Sequence, residues 1–516
     1  MSRNNLIYGA VILFGANLVN RMLGFVYQYL IMHYIGSEAY GLFYMVFPVY
    51  MTALVLTTAG IPLAVSKMIA EKVSLGNYNE AGKVFRTAFS ILFFTGLVVT
   101  ILLYLNCSFI VTHFFADARI QVVFKICIPC IFIVSVASAF RGYFQGLQNM
   151  VPSALSQVFE QIFRIAVGFS LSLHYLDNGI EWAAAGLAAG MLCGEIVGLI
   201  VIFIHYLFKR IRYPEKNQII RHHQSIIREL LGLSLPVTGS RLMATGISSL
   251  DTFIIPKQLQ LAGFSARNAT SLFGEFSGTA LTLFSFPTVF TFALSSSLVP
   301  AISESLVRND LASARKKCSD ALKYTVLMGL PCVIILFFFA DPLCHLFKSD
   351  SAAAVVRILS IGGIFAYLQQ TTTGILQGMG KTTLPLVHML MTSVIRIPLL
   401  FYLTGMPLFG LLGAGLAYVF GFFSMAFLNL YAIHRHLGLE ADYGSIIVKP
   451  MIGGLAMAAV ITGITRLNTA GNVPVLVTCL AASVIGLCLY FIILVCTGAI
   501  HIKDLKKTWQ SLIPKR

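Results

Sequence analysis

The chain has 516 residues, 57% of them hydrophobic and only 11% charged, which leaves too few polar groups to cover the surface of a soluble protein. Its net charge of +16 would point to nucleic acid in a soluble domain, but in a chain of recurrent apolar runs it reports which loops face the cytoplasm. Composition therefore predicts an all-α polytopic membrane protein with no nucleic-acid partner.

Runs of about twenty apolar residues, each able to cross ~30 Å of hydrocarbon at ~1.5 Å per residue, predict fourteen transmembrane helices. They fall at 5–32, 40–65, 86–106, 120–145, 151–175, 182–208, 230–255, 273–302, 323–346, 353–377, 383–404, 409–433, 447–466 and 473–497. The first run begins near Leu6, but Asn17, Asn20 and Arg21 interrupt it, so it reads as a retained span and not as a signal peptide. Glu71 to Phe85 and Arg308 to Leu322 read as short surface helices, each following a span that ends in Ser66 or Ser303. In the sixth span Gly186, Gly190, Gly194 and Gly198 recur every four residues as a smooth ridge for close packing, and Gly413, Ala417 and Gly421 repeat it in the twelfth. The basic segment Lys209 to Arg228, with Arg221, His222 and His223, reads as a linker lying on anionic membrane lipids.

The chain repeats itself. A shift of 232 places Gly142, Gln145, Gly146, Arg164 and Ile165 on Gly374, Gln377, Gly378, Arg396 and Ile397. The same shift carries His113 to His345, Phe115 to Phe347 and Lys125 to Arg357. Two copies of a six-helix unit follow, with two more helices after them. The expected domains are an N-lobe at 1–208, a basic cytoplasmic linker at 209–229, a C-lobe at 230–436, and the last two spans with a basic tail at 437–516.

Positive charge supports this count. One side of the fourteen-span arrangement holds 24 Lys and Arg, including Lys67, Lys72, Lys83, Arg86, Arg315, Lys316, Lys317, Arg435 and Lys449. The other side holds seven: Arg119, Lys125, Lys257, Arg267, Lys348, Arg357 and Arg466. That imbalance places both termini in the cytoplasm, with the chain in the cytoplasmic membrane. Five arginines lie in no loop: Arg21, Arg141, Arg164, Arg241 and Arg396. Arg141 is near enough to the cytoplasmic end of its span to snorkel. The other four are interior, and a charge at mid-membrane costs at least ~2.5–3.5 kcal/mol unless it meets water or a partner.

Interior acids are Glu160, Glu195 and Asp251. Glu160 precedes Arg164 by one turn, so that pair can be satisfied on its own helix, and a structural ion pair competes with a functional role there. Arg21 and Arg241, in equivalent spans one and seven, have no acid within a turn. With Arg164 and Arg396 they form two pseudo-symmetric pairs, and helices facing each other across an axis would aim all four guanidinium groups at one cavity. Such a cluster suits a diphosphate, which guanidinium grips bidentately. Asp251, Glu160 and Glu195 are then candidates for ion coupling or charge compensation. The ten cysteines, including Cys127 and Cys130, lack a second pair that would complete a metal site and read as packing.

The N-terminal stretch Asn5 to Phe43, with Asn20 to Phe25 at its centre and Gly36 to Phe43 following, resembles the stage V sporulation protein B family of spore-forming bacteria. That family lies in the multidrug, oligosaccharidyl-lipid and polysaccharide exporter superfamily. The resemblance implies a twelve-helix core of two six-helix lobes with two added helices, an outward V-shaped cavity, alternating access, and a role in spore cortex peptidoglycan assembly. Arg21, Gly24 and Phe25 match the Arg-x-x-Gly-Phe-x-Arg pattern of related peptidoglycan lipid flippases, but Tyr27 stands where their second arginine would be. Their Ala-Asp-Arg signature in the eighth helix is also absent here.

The function expected is transport of an undecaprenyl-diphosphate-linked sugar, a peptidoglycan precursor, to the outer leaflet. It needs no cofactor, and H⁺ or Na⁺ is the candidate coupling ion. An ion-coupled multidrug exporter is the alternative, but it would line its cavity with acids, and here interior arginines outnumber acids four to three. A membrane enzyme acting on the same lipid is disfavoured, since no nucleophile motif, paired surface carboxylates or metal cluster supports it.

Overall fold

The computed structural model describes residues 3–58, 60–209, 223–439, 444–467 and 474–499, and their regular structure is helical. An apolar chain in lipid must satisfy its backbone within each segment, and the helix does so. In order the helices are α1 (Arg3–Leu30), α2 (Ser37–Thr58), α3 (Ile61–Ser74), α4 (Tyr78–Leu105), α5 (Cys107–Phe114), α6 (Ile120–Gly146), α7 (Val151–His174), α8 (Ile180–Lys209) and α9 (His223–Leu261). Then come α10 (Ala266–Glu275), α11 (Leu281–Ser285), α12 (Thr288–Val307), α13 (Leu311–Phe338), α14 (Ala340–Leu346), α15 (Ala353–Gly378), α16 (Thr383–Gly405), α17 (Leu411–Leu437), α18 (Lys449–Leu467) and α19 (Val475–Cys496).

Among the described residues eleven segments are both long and apolar enough to cross a membrane. Helices α1, α7 and α9, of 28, 24 and 39 residues, are long enough as well. Each carries one of the interior arginines, Arg21, Arg164 or Arg241, which is part of what makes it more polar than its neighbours. The eighth expected span, 273–302, is broken: α10 passes through a π-helical turn at Phe276–Ala280 into the short α11 and then α12. Pro287 falls in the break between α11 and α12, where its missing N–H and fixed φ suit an interruption.

The two expected surface helices are not separate elements. Glu71 lies in the last turn of α3, the chain turns at Gly76, and Tyr78 to Phe85 are the first turns of the long α4, capped by Asn77 accepting from the Glu80 N–H at 3.2 Å. Asp310 caps α13 in the same way, accepting from the Ser313 N–H at 2.9 Å. The cap lets one helix run from the surface into the membrane without a break. The expected linker at 209–229 lies largely outside the described residues, and α9 already begins at His223; the basic tail from Lys503 also lies outside.

The repeat read from sequence recurs in the packing. In the first copy α3, α4 and α8 pack on α6, and α7 packs on α8; in the second α12, α13 and α17 pack on α15, and α16 packs on α17. The paired glycines explain why the match is strict. A side-chain carbon on Gly142 or Gly146 would meet the Pro62 or Ser66 carbonyl oxygen at 2.9 Å, and one on Gly374 or Gly378 would meet those of Ser295 or Val299 at 2.7 and 3.0 Å. After each helix the chain reverses through a left-handed residue at matched positions, Gln148 (φ 55°) and Gly380 (φ 74°).

By packing, the chain divides after Gly278 into two compact units, 1–278 and 279–516. Helices α9 and α10, which the 232-residue shift assigns to the second copy, therefore lie in the first unit, against α2 and α3. Its apolar core gathers Val65, Ile69, Phe85, Phe140 and Phe144 with Ile226 and Leu230. In the second unit, α18 and α19 dock on α13, where the Tyr490 hydroxyl donates to the Leu327 carbonyl at 3.0 Å.

Candidate functional site

The glycine ridge of α8 determines what its acid can reach. A side-chain carbon on Gly190 would come within 2.2 Å of the Gly168 backbone, and one on Gly194 within 2.6 Å of the Glu160 carbonyl, so α7 and α8 touch backbone to backbone. This close packing brings Glu195, on α8, beside Arg164, on α7. Arg164 Nη2 donates to Glu160 Oε1 at 2.7 Å and to Glu195 Oε1 at 2.8 Å. Arg141, from α6, donates to the other Glu160 oxygen at 3.0 Å. Arg141 is thus paired with an acid of the neighbouring helix. Two cations and two acids close an electrically balanced network, with Glu195 only 6% exposed.

The matched arginine of the second copy is buried differently. Arg396, 8% exposed on α16, lies over the ring of Tyr418, 5.1 Å from its centroid. Gly421 makes room for it, since a side-chain carbon there would be 2.7 Å from Arg396 Cδ. At the positions that match Glu160 and Glu195 stand Thr392 and Phe427. Two turns before Arg396, His388 shares a hydrogen bond with Asn429 Oδ1 at 2.8 Å, and the Asn429 amide donates to Thr372 and Thr373 at 3.1 and 3.2 Å. Sequence reading missed this polar cluster, because its members are spread over three helices.

Arg21 and Arg241 are both exposed on their helices. One turn beyond Arg21, Gly24 faces Gln161, whose side-chain oxygen lies 3.4 Å from Arg164 Nη1, so α1 meets α7 beside the ion network. Asp251 is 7% exposed on α9 and interacts with Tyr44 of α2. The structure therefore joins Arg164, Glu160 and Glu195 directly, with Arg21 on the adjoining helix. Asp251 lies on α9, which packs on α2, and Arg396 lies in the other unit. Among the described residues no group of three His, Cys, Asp or Glu is placed to hold a metal.

A second charged cluster sits where α2 meets α10. Glu38 takes Arg119 on one oxygen at 2.7 Å and Arg267 on the other at 2.8 Å. Arg119 also binds Asp117 at 2.7 Å, and Asp117 accepts from the Thr270 hydroxyl at 2.9 Å. Behind these charges α2 and α10 cross closely and reciprocally: Gly41 lies on the Thr270 carbonyl and Gly274 on the Ser37 carbonyl, with Ser37 Oγ 2.7 Å from Ser271 Oγ. Ser37 and Thr270, like Gly41 and Gly274, stand 233 residues apart, one more than the repeat shift, so this is a pseudo-two-fold contact. In the sequence Arg119 and Arg267 showed only as loop charges.

Two matched sets of membrane helices, each with an arginine held inside it, define an internally duplicated polytopic membrane protein of the transporter class. The chain belongs to the polysaccharide biosynthesis protein family, whose model matches residues 6–306; the MatE model matches 277–402. It is 31% identical to stage V sporulation protein B of Bacillus subtilis (strain 168), over 85% of this chain and 86% of that protein. It is 24% identical to the lipid II flippase MurJ of the same organism, over 89% of this chain and 87% of that one. Among solved structures, a lipid II flippase MurJ in an inward closed conformation matches with a TM-score of 0.71 and 18% identity over 96% of this chain and 99% of that one. An inward-facing multidrug-resistance MATE transporter matches with a TM-score of 0.69 and 16% identity, covering 81% of this chain and 94% of that one.

Proposed function

We propose that this protein flips an undecaprenyl-diphosphate-linked sugar, a peptidoglycan precursor for the spore cortex, across the cytoplasmic membrane by alternating access between an N-lobe and a C-lobe. The observation that carries the reading is the 31% identity to stage V sporulation protein B across 85% of the chain. The fold shared with a lipid II flippase supports it. In this reading Arg21, Arg241, Arg164 and Arg396 grip the diphosphate, and Asp251, Glu160 and Glu195 balance their charge when it is absent, coupled to H⁺ or Na⁺. The termini face the cytoplasm, and the basic linker lies on anionic lipid.

The same fold in a multidrug exporter supports a second reading, ion-coupled export of cationic drugs. One experiment separates the two. Loss of the protein should cause lipid-linked precursor to accumulate without raising drug sensitivity, and the reverse pattern would select the exporter. Within the flippase reading, Arg21→Ala and Arg241→Ala are the informative variants, because both side chains are exposed and their loss need not unfold the chain. Each should cut precursor transport at wild-type abundance, with lysine restoring it only in part because it lacks the planar fork. Normal transport in both would remove the arginine site. Asp251→Asn should likewise lower transport at unchanged abundance if that acid compensates charge.

A further inference from the structure

The Arg164 network balances two arginines with two acids, and its two carboxyl groups are neighbours. Glu160 Oε1 and Glu195 Oε1 both accept from a single nitrogen, Arg164 Nη2, at 2.7 and 2.8 Å, and the two carboxyl groups lie within hydrogen-bonding reach of each other. Glu160 is engaged through both oxygens, by Arg164 and Arg141, whereas Glu195 receives its one N–H at Oε1. Two like charges at that separation disfavour double ionisation, and the less supported group is the one to take a proton.

A cluster that only joined helices would satisfy its donors, and this one does not. The Tyr27 hydroxyl, on a side chain 9% exposed, is buried without a hydrogen-bond partner where α1 crosses Gly168, one turn from Arg164. Arg141 Nε and Arg164 Nε are likewise buried donors without an acceptor. Among the described residues, the titratable groups that face the pair include Arg164 on α7, Arg141, Cys127 and Cys130 on α6, Tyr50 on α2 and Tyr27 on α1, all from packed helices of the first unit.

We infer that Glu160 and Glu195 form a proton-binding site, in which Glu195 takes up a proton, gives up its hold on Arg164, and leaves that guanidinium to engage an anion. The charges balance. Two guanidinium groups against two carboxylates sum to zero; one proton drawn from water onto Glu195 raises the sum to +1, which a phosphate oxygen then neutralises. The inference deepens the flippase reading and rests on it for the anion, but the proton site itself is testable alone.

The test is infrared spectroscopy of the full-length protein in phosphatidylglycerol-containing vesicles, titrated between about pH 5 and 9 across the range where a perturbed carboxyl changes charge. A protonated-carboxyl C=O band should appear on acidification, vanish in Glu195→Gln, shift in Glu160→Gln and in Tyr27→Phe, and persist in Asp251→Asn. Absence of a titrating band in the wild type overturns the proposal, as does a band unchanged in the Glu195→Gln and Glu160→Gln variants, or one lost in Asp251→Asn. Should Glu195→Gln fail to accumulate, Glu160→Gln and Tyr27→Phe report on the same pair. A band that behaves as expected, alongside normal transport in Arg21→Ala and Arg241→Ala, would leave the proton site standing and remove the diphosphate.

Discussion

Arg164 and Arg396 occupy matched positions, yet Arg164 is bound by two acids while Arg396 lies over an aromatic ring. Truncating Arg164 leaves Glu160 and Glu195 side by side with Arg141 as their remaining cation, and breaking a buried pair this way costs about 3–5 kcal/mol. Arg164→Ala should therefore lower the thermal midpoint and abundance of the purified protein, and adding Glu195→Gln should recover part of the loss through their coupling. Arg21→Ala should leave both unchanged. Outside the membrane, burial alone would raise the Asp117 carboxyl, but hydrogen bonds from Arg119 and Thr270 outweigh it and hold the group below its ordinary value. A depressed acid contributes stability above its unfolded value of about 3.9, and that contribution is lost as pH falls through the lower folded one. Asp117→Asn should cost about 2 kcal/mol at pH 7, read by thermal unfolding in detergent, with the gap to wild type closing in strong acid. Of these residues the sequence exposed Arg164 with Glu160, because they lie one turn apart. It also named Glu195 but could not join it to them, since that contact depends on a glycine ridge letting two helices touch.

At the level of elements, apolar length was legible and local breaks were not. Runs such as those of α6, α7, α15 and α16 became helices close to their expected ends, while α4, α9 and α13 begin well before theirs and the second run divides between α2 and α3; the π-turn at Phe276–Ala280 and the capped turns at Asn77 and Asp310 depend on single residues inside longer patterns. The crossing of α2 and α10 was invisible for a related reason: Ser37 with Gly41 and Thr270 with Gly274 are ordinary small residues until two helices bring them together. That contact makes a sharp prediction. With Ser37 Oγ and Ser271 Oγ 2.7 Å apart, Ser37→Cys with Ser271→Cys should form a disulfide on mild oxidation, seen as a mobility shift reversed by reductant. If alternating access separates these helix ends, the oxidised form should stop transport and the reduced form restore it. Transport that continues at full rate while cross-linked would mean the crossing stays closed throughout the cycle.

Across the whole molecule the repeat was the most legible feature, because one constant shift relates side chains, glycine contacts and helix order together. What it left open is which parts pack as a unit, since α9 and α10 belong to the second copy by sequence and to the first unit by contact. The repeat also bears on topology. Six spans per copy is an even number, so both copies enter the membrane from the same side, and positive charge should fall in the same loops of each. It does: Lys83 and Arg86 near the start of α4 correspond to Arg315, Lys316 and Lys317 near the start of α13. Reporters fused after residue 220 and at the C-terminus should therefore both read as cytoplasmic, and one at Leu261, the end of α9, as external. A copy with an odd number of spans would reverse the second half, and the reporter at Leu261 would then change sides while the N-terminal half kept its orientation. The opposite reading at any of the three positions would break the parallel repeat on which the pairing of Arg21 with Arg241 and of Arg164 with Arg396 depends.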